Sequence, residues 1–284
     1  MLRAGSQRFI KVLVCHETGG YNRGLSPPAI QFNFTGRAFG SRVAVDQLNL
    51  AIPAGEFVAL VGPSGCGKTT ILNLAAGLLT PTSGSIESFG TPLTGLNRQV
   101  SYLFQQDALL PWKTLEENIA LAATLAGHDG REEARRWLHR LGLDGFGEYY
   151  PAQASGGMRK RVALAQQWMA RRPLLLMDEP FGSLDIHTRQ QMETELLQLW
   201  DADHSCETKR TVLFVTHDLE EAIALAGVVY VLSAGPASTI ISRYPIDLPR
   251  PRAIADLRLD ARFQDLYRRV WNDLRPEVRR SHAQ

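Results

Sequence analysis

The chain has 284 residues, 44% of them apolar and 21% charged, with a formal net charge of +2. That is the profile of an ordinary globular protein, long enough for one large domain or two small ones. The small charge gives no electrostatic case for nucleic-acid binding, and no apolar run approaches the ~20 residues that span a bilayer. The cysteines, Cys15, Cys66 and Cys206, have neither metal-ligand nor paired spacing, which suits a reducing compartment.

In chain order, residues 1–28 read as an irregular N-terminal tail. Its apolar run at 9–15 faintly resembles a secretory core ending in a cysteine, but Lys11 interrupts it and it is too short, so export is not expected. Alternation at Ile30, Phe32 and Phe34 predicts a strand, and a turn at Phe39-Gly40 leads to a second over 43–52. An apolar run at 57–61 predicts a buried strand. A glycine-rich segment follows, then a helix-period stretch from 71 that closes at Gly77. A turn at 81–84 and strands at 85–89 and 100–104 come next.

From about residue 107 the character changes. Residues 115–126, 131–141 and 155–171 carry helical patterning with no strand between them, which predicts a helical insertion within an α/β domain. Strands resume at 174–179, apolar on both faces as at the centre of a parallel sheet. A helix over 186–200, a strand over 212–216, a helix over 219–226 and a strand over 228–232 follow. Pro245, Pro249 and Pro251 set off a C-terminal segment, within which 256–275 predicts one amphipathic helix.

The strand-to-helix junction carries the clearest chemistry. Gly62, Pro63, Ser64, Gly65, Cys66, Gly67, Lys68, Thr69 and Thr70 match the pattern G-x-x-x-x-G-K-[ST]. Its glycines let successive N–H groups turn inward into an anion-sized nest at a helix N-terminus. Lys68 adds a full charge for the outer phosphates, and the Thr69 hydroxyl is placed to ligate Mg²⁺. A chance glycine-rich turn is the bland alternative, and the strand before and helix after it argue against that. A bound nucleoside triphosphate is expected. Cys66, beside Lys68, is expected to have a lowered thiol pKa and to block hydrolysis when alkylated, although its native role is that of a small residue fitting the loop.

Splitting a phosphoanhydride needs a metal, a positioned water and a base. Asp178 ends an apolar strand, where its carboxylate could hold Mg²⁺, and Glu179 follows as a candidate base. A solvated strand end is the plain reading of such a pair, and the four apolar residues before it weigh against that. A lone histidine is usually structural, but His217 falls at the end of the 212–216 strand, on the sheet edge where ligands gather, as a catalytic candidate that could hydrogen-bond the γ-phosphate or hold the attacking water. Ser155, Gly156 and Gly157 open the third helix of the insertion. This is either a simple capped helix or a second anion site, which one compact subunit could not bring to the same nucleotide as Gly67. Two subunits completing each other's sites is the expectation.

Together these stretches resemble the ATP-binding-cassette ATPases in unbroken order over roughly 30–245. Residues 62–70 stand at Walker A, Phe104-Gln105 at the Q-loop, Ser155-Gly156-Gly157-Met158 at the signature, 174–178 with Glu179 at Walker B and base, Ser183-Leu184-Asp185 at the D-loop and His217 at the switch. Phe39 stands where the family places an aromatic that stacks on adenine. The resemblance implies an α/β P-loop NTPase (RecA-like) core with a mainly parallel sheet, an N-terminal antiparallel β-subdomain and a helical subdomain inserted at about 107–171. The whole forms an ATPase domain at 29–245, with a C-terminal helical extension at 246–284. It implies ATP and Mg²⁺ as ligands, with Thr69, Asp178 and Gln105 toward the metal, and a head-to-tail dimer.

The runs 104–112 and 246–252 resemble the nitrate/sulfonate/taurine importer ATPases. Those are peripheral subunits on the cytoplasmic face of the inner membrane, docked under a permease that an extracytoplasmic solute-binding protein feeds. A small anionic solute is thereby implied. The alternatives are a cassette ATPase acting on nucleic acid or ribosomes, which would carry two cassettes, coiled coils or zinc modules, and a P-loop kinase, for which Ser155 and His217 would have no use. The family signature begins with Leu, whereas Ala154 stands here, and a looser turn with activity retained is expected.

Overall fold

The structure, a computed structural model, describes residues 26–182, 184–202 and 209–283. Most of the predicted tail at 1–28 lies outside them, as do Ser183, Cys15 and Cys206. In chain order the elements are β1 (Ile30–Phe39), β2 (Arg42–Ile52), β3 (Phe57–Val61), α1 (Lys68–Ala75), β4 (Ser83–Ser88), β5 (Thr91–Pro92), β6 (Val100–Leu103), α2 (Leu115–Ile119), α3 (Leu121–Leu125) and α4 (Arg131–Arg140). There follow α5 (Gly156–Met169), β7 (Leu174–Asp178), α6 (Ile186–Asp201), β8 (Thr211–Thr216), α7 (Leu219–Leu225), β9 (Val228–Leu232), β10 (Ile240–Pro245), α8 (Ile254–Leu257) and α9 (Ala261–His282).

Continuous apolar runs decide the central layer. β3, β7 and β8 are buried at every position, so helices must cover both their faces. They lie in a six-stranded sheet of order β10-β9-β3-β8-β7-β6, parallel except for the edge strand β10. One face packs against α5, α6, α7 and α9 through residues such as Phe57, Phe214, Met177, Leu196 and Phe263. The other packs against α1 and the N-terminal strands through Leu60, Ile71, Leu176 and Ile30. Those strands form a separate antiparallel sheet, β2-β1-β4-β5.

Between β6 and β7, helices α2–α5 enclose a small core of their own around Leu115, Ile119, Leu138, Leu141, Val162 and Met169. A capping box starts α2: Glu117 N–H donates to Thr114 Oγ1 at 3.2 Å and Thr114 N–H to Glu117 Oε2 at 2.9 Å. Ala154 is buried in this core, and its carbonyl accepts from Arg159 Nη1 at 2.7 Å, which supports the turn before Ser155.

Several element boundaries differ from the sequence reading. The helix expected over 115–126 breaks at Ala120 into α2 and α3. Ser83 and Gly84, expected in a turn, belong to β4, where Ser83 pairs with Gly36. The single C-terminal helix expected at 256–275 is α8 followed by α9. Asp260 restarts the chain as an N-cap, accepting from Arg262 N–H at 2.7 Å. β10 escaped notice because an edge strand carrying Ser242, Arg243 and Tyr244 shows no apolar alternation.

The proline-rich stretch before α8 does specific work. Arg252 is buried, and its guanidinium donates to the carbonyls of Ile223, Ala224 and Ala226 at 3.3, 2.9 and 2.8 Å, capping the C-terminus of α7. Burial pushes its pKa down to about 10. Arg250 donates to the Leu225 carbonyl at 2.8 Å and lies 4.5 Å from the centre of the Trp200 ring.

Candidate active site

Parallel strands bring the candidate residues to one edge. Across the sheet Val61 pairs with Thr216, Asp178 with Val215, and Leu103 with Met177. Four strands therefore end at one level, and the next residues along the chain are the glycine-rich loop, His217, Glu179 and Phe104-Gln105. A cleft of about 490 Å³ opens there, lined among others by Phe39, Arg42, Ser64, Gly65, Lys68, Thr69, Glu179 and Pro236.

Residues 62–67 wrap the start of α1. Gly67 has φ 89° and no side-chain cap, so the first-turn N–H groups stay free for an anion. A Cβ at Gly67 would lie 3.0 Å from Val45 Cγ2 and 3.2 Å from the Ala44 carbonyl oxygen, which only glycine avoids. Lys68 is buried, and its ammonium donates to the carbonyls of Gly62 and Pro63 at 2.8 and 2.9 Å, anchoring the cation inside the loop. Pro63, Ser64, Gly65 and Thr70 complete the turn and the first helical positions. Phe39, half exposed at the end of β1, has the Arg37 guanidinium 4.7 Å from its ring centre.

Cys66 departs from expectation. Its side chain is fully buried, and desolvation raises the thiol pKa despite the neighbouring Lys68 charge. The helix terminus and the lysine act in the predicted direction, but burial outweighs them.

The Thr69 hydroxyl lies near the Asp178 carboxylate and favours its charged form. Burial pushes that carboxyl up, with Glu179 adding to it, while Thr69, Lys68 and Lys160 pull the other way. A hydroxyl beside a carboxylate is a hard oxygen pair that suits Mg²⁺. Among the described residues no group of three or more His, Cys, Asp or Glu could hold a metal.

Glu179 sits just past β7 with φ 45°, a left-handed conformation that costs a residue with a side chain about 1–3 kcal/mol. Its N–H donates to the Val215 carbonyl at 3.0 Å. One carboxylate oxygen accepts from Gln105 Nε2 at 3.1 Å, and the other lies 3.2 Å from His217 Nδ1. Gln105, Glu179 and His217 are thus assembled from three different strand ends.

Ser155, Gly156 and Gly157 lie elsewhere. Ser155 caps α5 by accepting from Met158 N–H at 3.2 Å, and none of the three lines the cleft beside Lys68. A Cβ at Gly157 would come within 3.0 Å of Thr188 Cγ2 on α6. Asp185 is the N-cap of α6, and the hydrogen bond with Thr188 holds its carboxyl below the usual range. Of the other predicted D-loop residues, Leu184 is buried and Ser183 lies outside the described residues.

Sequence reasoning missed three supports. The loop after β9 backs the glycine-rich turn: Ser238 Oγ donates to the Cys66 carbonyl, and Ala234 N–H donates to Glu277 of α9 at 2.8 Å. Arg189 of α6 donates to Asp218 at 3.1 Å and to the Leu184 carbonyl at 3.3 Å, joining the segment before α6 to the turn after His217. Lys160 of α5 is buried and reaches the backbone of Gln105. A lysine one residue from a run of buried α5 positions was the available signal for the last, since a buried ammonium requires partners.

A family profile described as ABC transporter matches residues 45–182. The taurine import ATP-binding protein of Escherichia coli is 41% identical over 215 residues, 75% of this chain and 82% of that one. The nitrate import ATP-binding protein of Synechococcus elongatus is 40% identical over 262 residues, 86% of this chain and 93% of that one. Among solved structures, an ATP-binding cassette in a dimeric post-hydrolysis state bound to ADP and Pi aligns with a TM-score of 0.66 at 28% identity, covering 78% of this chain and all of that one.

Proposed function

This chain belongs to the ABC transporter family, and from that premise we propose that it is the ATP-hydrolysing subunit of an importer for a small anionic solute. The observation that carries the catalytic assignment is the Glu179 carboxylate held between Gln105 and His217, one residue beyond Asp178 at the end of β7. ATP would place its phosphates against the N–H groups of 62–70 and the Lys68 ammonium, with its base toward Phe39. Mg²⁺, when bound at Thr69 and Asp178, would offset charge on the β- and γ-phosphates.

Glu179 takes the proton of the attacking water, and Gln105 and His217 fix the direction of its oxygens. Gln105 would also contact a metal held at Thr69 and Asp178. Ser155, Gly156 and Gly157, away from the subunit's own cleft, serve the nucleotide of a second copy, and Asp185 lies at that same junction. Two copies would therefore sandwich two ATP molecules.

No helix among the described residues is long and apolar enough to cross a membrane. That agrees with a peripheral subunit on the cytoplasmic face, docked to a separate permease that a solute-binding protein supplies. On this reading residues 29–245 form the ATPase domain with a helical subdomain at about 107–171, and 246–284 form an extension. Glu179→Gln should lower phosphate release ~10²-fold or more while ATP still binds. Undiminished hydrolysis in that variant removes Glu179 from the role.

A further inference from the structure

Lys160 transfers no proton in the chemistry proposed above, yet among the described residues it is, like Lys68, a buried lysine, at 3% exposure. It lies five residues beyond Ser155 on α5 and points back under the Gln105 segment. Its ammonium donates to the Gln105 carbonyl at 2.6 Å and lies 3.2 Å from Asp107 Oδ1. Arg159, the preceding residue, donates from Nε to Asp107 Oδ2 at 3.0 Å and from Nη1 to the Ala154 carbonyl at 2.7 Å. Asp107 therefore takes both cations, and each cation has a second hold. Arg159 grips the turn before Ser155, and Lys160 grips the backbone of Gln105.

Burial makes this clamp consequential. A desolvated ammonium is costly without partners, so Lys160 cannot leave Gln105 and Asp107 unless water reaches it. The contacts run without a gap: the Ala154 carbonyl to Arg159 and Arg159 to Asp107 by hydrogen bonds, Asp107 to Lys160 by an ion pair in which Oδ1 accepts no hydrogen bond, then Lys160 to the Gln105 backbone, the Gln105 amide to Glu179, and Glu179 to His217. One end is the turn assigned to the partner's nucleotide, and the other is the base assigned to the subunit's own.

We infer that Lys160, with Asp107 and Arg159, is a positioning residue that locks the Gln105 segment to the Ser155 helix, so that engagement of one nucleotide sets the geometry of Glu179 at the other. This rests on the reading of the chain as an ATP-sandwich dimer. Lys160 does not line the cleft beside Lys68. It acts through Gln105, and its contribution is cooperativity between two sites.

The test uses the full-length chain, with trinitrophenyl-ATP fluorescence for binding and phosphate release for turnover across ATP concentration. The parent is expected to show a Hill coefficient approaching about 2, the limit for two sites. Lys160→Met should bring it to about 1 and lower turnover by ~10-fold, within the range of typical coupling, while trinitrophenyl-ATP affinity stays within about twofold. Asp107→Asn should do the same, and the double variant should be no worse than either single one, because the two residues act as one unit.

Parent-like cooperativity and turnover in Lys160→Met would overturn the inference, as would additive losses in the double variant or a parent that hydrolyses with no cooperativity. Should Lys160→Met fail to unfold cooperatively, Asp107→Asn carries the same comparison. A parent that neither binds nor cleaves ATP would instead refute the function proposed above.

Discussion

His217 Nδ1 lies 3.2 Å from Glu179 Oε1, while Gln105 Nε2 lies 3.1 Å from Oε2 of the same carboxylate. Both oxygens of a residue in left-handed backbone are thereby directed by side chains from neighbouring strand ends. His217→Ala leaves Oε1 undirected without touching the phosphate loop. Turnover is expected to fall ~10²-fold with nucleotide affinity within about twofold, because the loss falls on the transition state. A rise in KM at unchanged kcat would make His217 a binding residue instead.

Ser155, Gly156 and Gly157 take no part in lining the cleft that Lys68 lines. Glu179→Gln protein is therefore expected to form dimers in saturating Mg-ATP, read by size-exclusion chromatography with light scattering. Adding Ser155→Arg should return it to monomers that still bind ATP, since a bulky side chain at the N-cap obstructs the partner's phosphates. A hydrolysis-dead protein that stays monomeric, alone and beside its membrane partner, would exclude shared sites.

Cys66 has no exposed surface, and burial raises its thiol pKa. Native protein treated with iodoacetamide should therefore remain unmodified at Cys66 by peptide mass spectrometry, and become labelled only after denaturation. Rapid native labelling would mean that the loop opens far enough to expose Sγ.

Glu193 and Glu221 form a buried acidic pair behind the turn that follows β8. Glu193 is fully buried and neither of its oxygens has a hydrogen-bond partner. Its nearest ionic partner is Arg258 at 3.8 Å, while Arg189, Asp218 and Glu220 complete the surroundings. Glu221 accepts from Thr216 Oγ1 at 2.6 Å. Burial pushes both carboxyls from 4.5 up to about 7. A carboxyl raised on folding binds its proton more tightly in the native state. The stability this confers is complete below pH 4.5 and is lost as pH rises through about 7. Glu193→Gln should thus stabilise the protein at pH 8 by about 1–2 kcal/mol and leave it near the parent at pH 5. Parent and variant melting curves that run parallel over that range would show that ionising Glu193 costs nothing.

The glycine-rich loop, the Asp178-Glu179 strand end, His217 and the helical insertion could be read from residue order alone, because each is local. A tight turn requires glycines, a buried strand requires a continuous apolar run, and a helix start requires a cap. Pairwise relations across the sheet were not legible. Nothing in the order of residues says that Gln105 and His217 would share one carboxylate, that Arg252 would cap α7, or that Lys160 would reach the Gln105 backbone. Those contacts exist because parallel strands end at one level and helices cross above them. The sign of the Cys66 shift was likewise decided in three dimensions. Charge and helix terminus are visible along the chain, but desolvation depends on what packs around the sulfur.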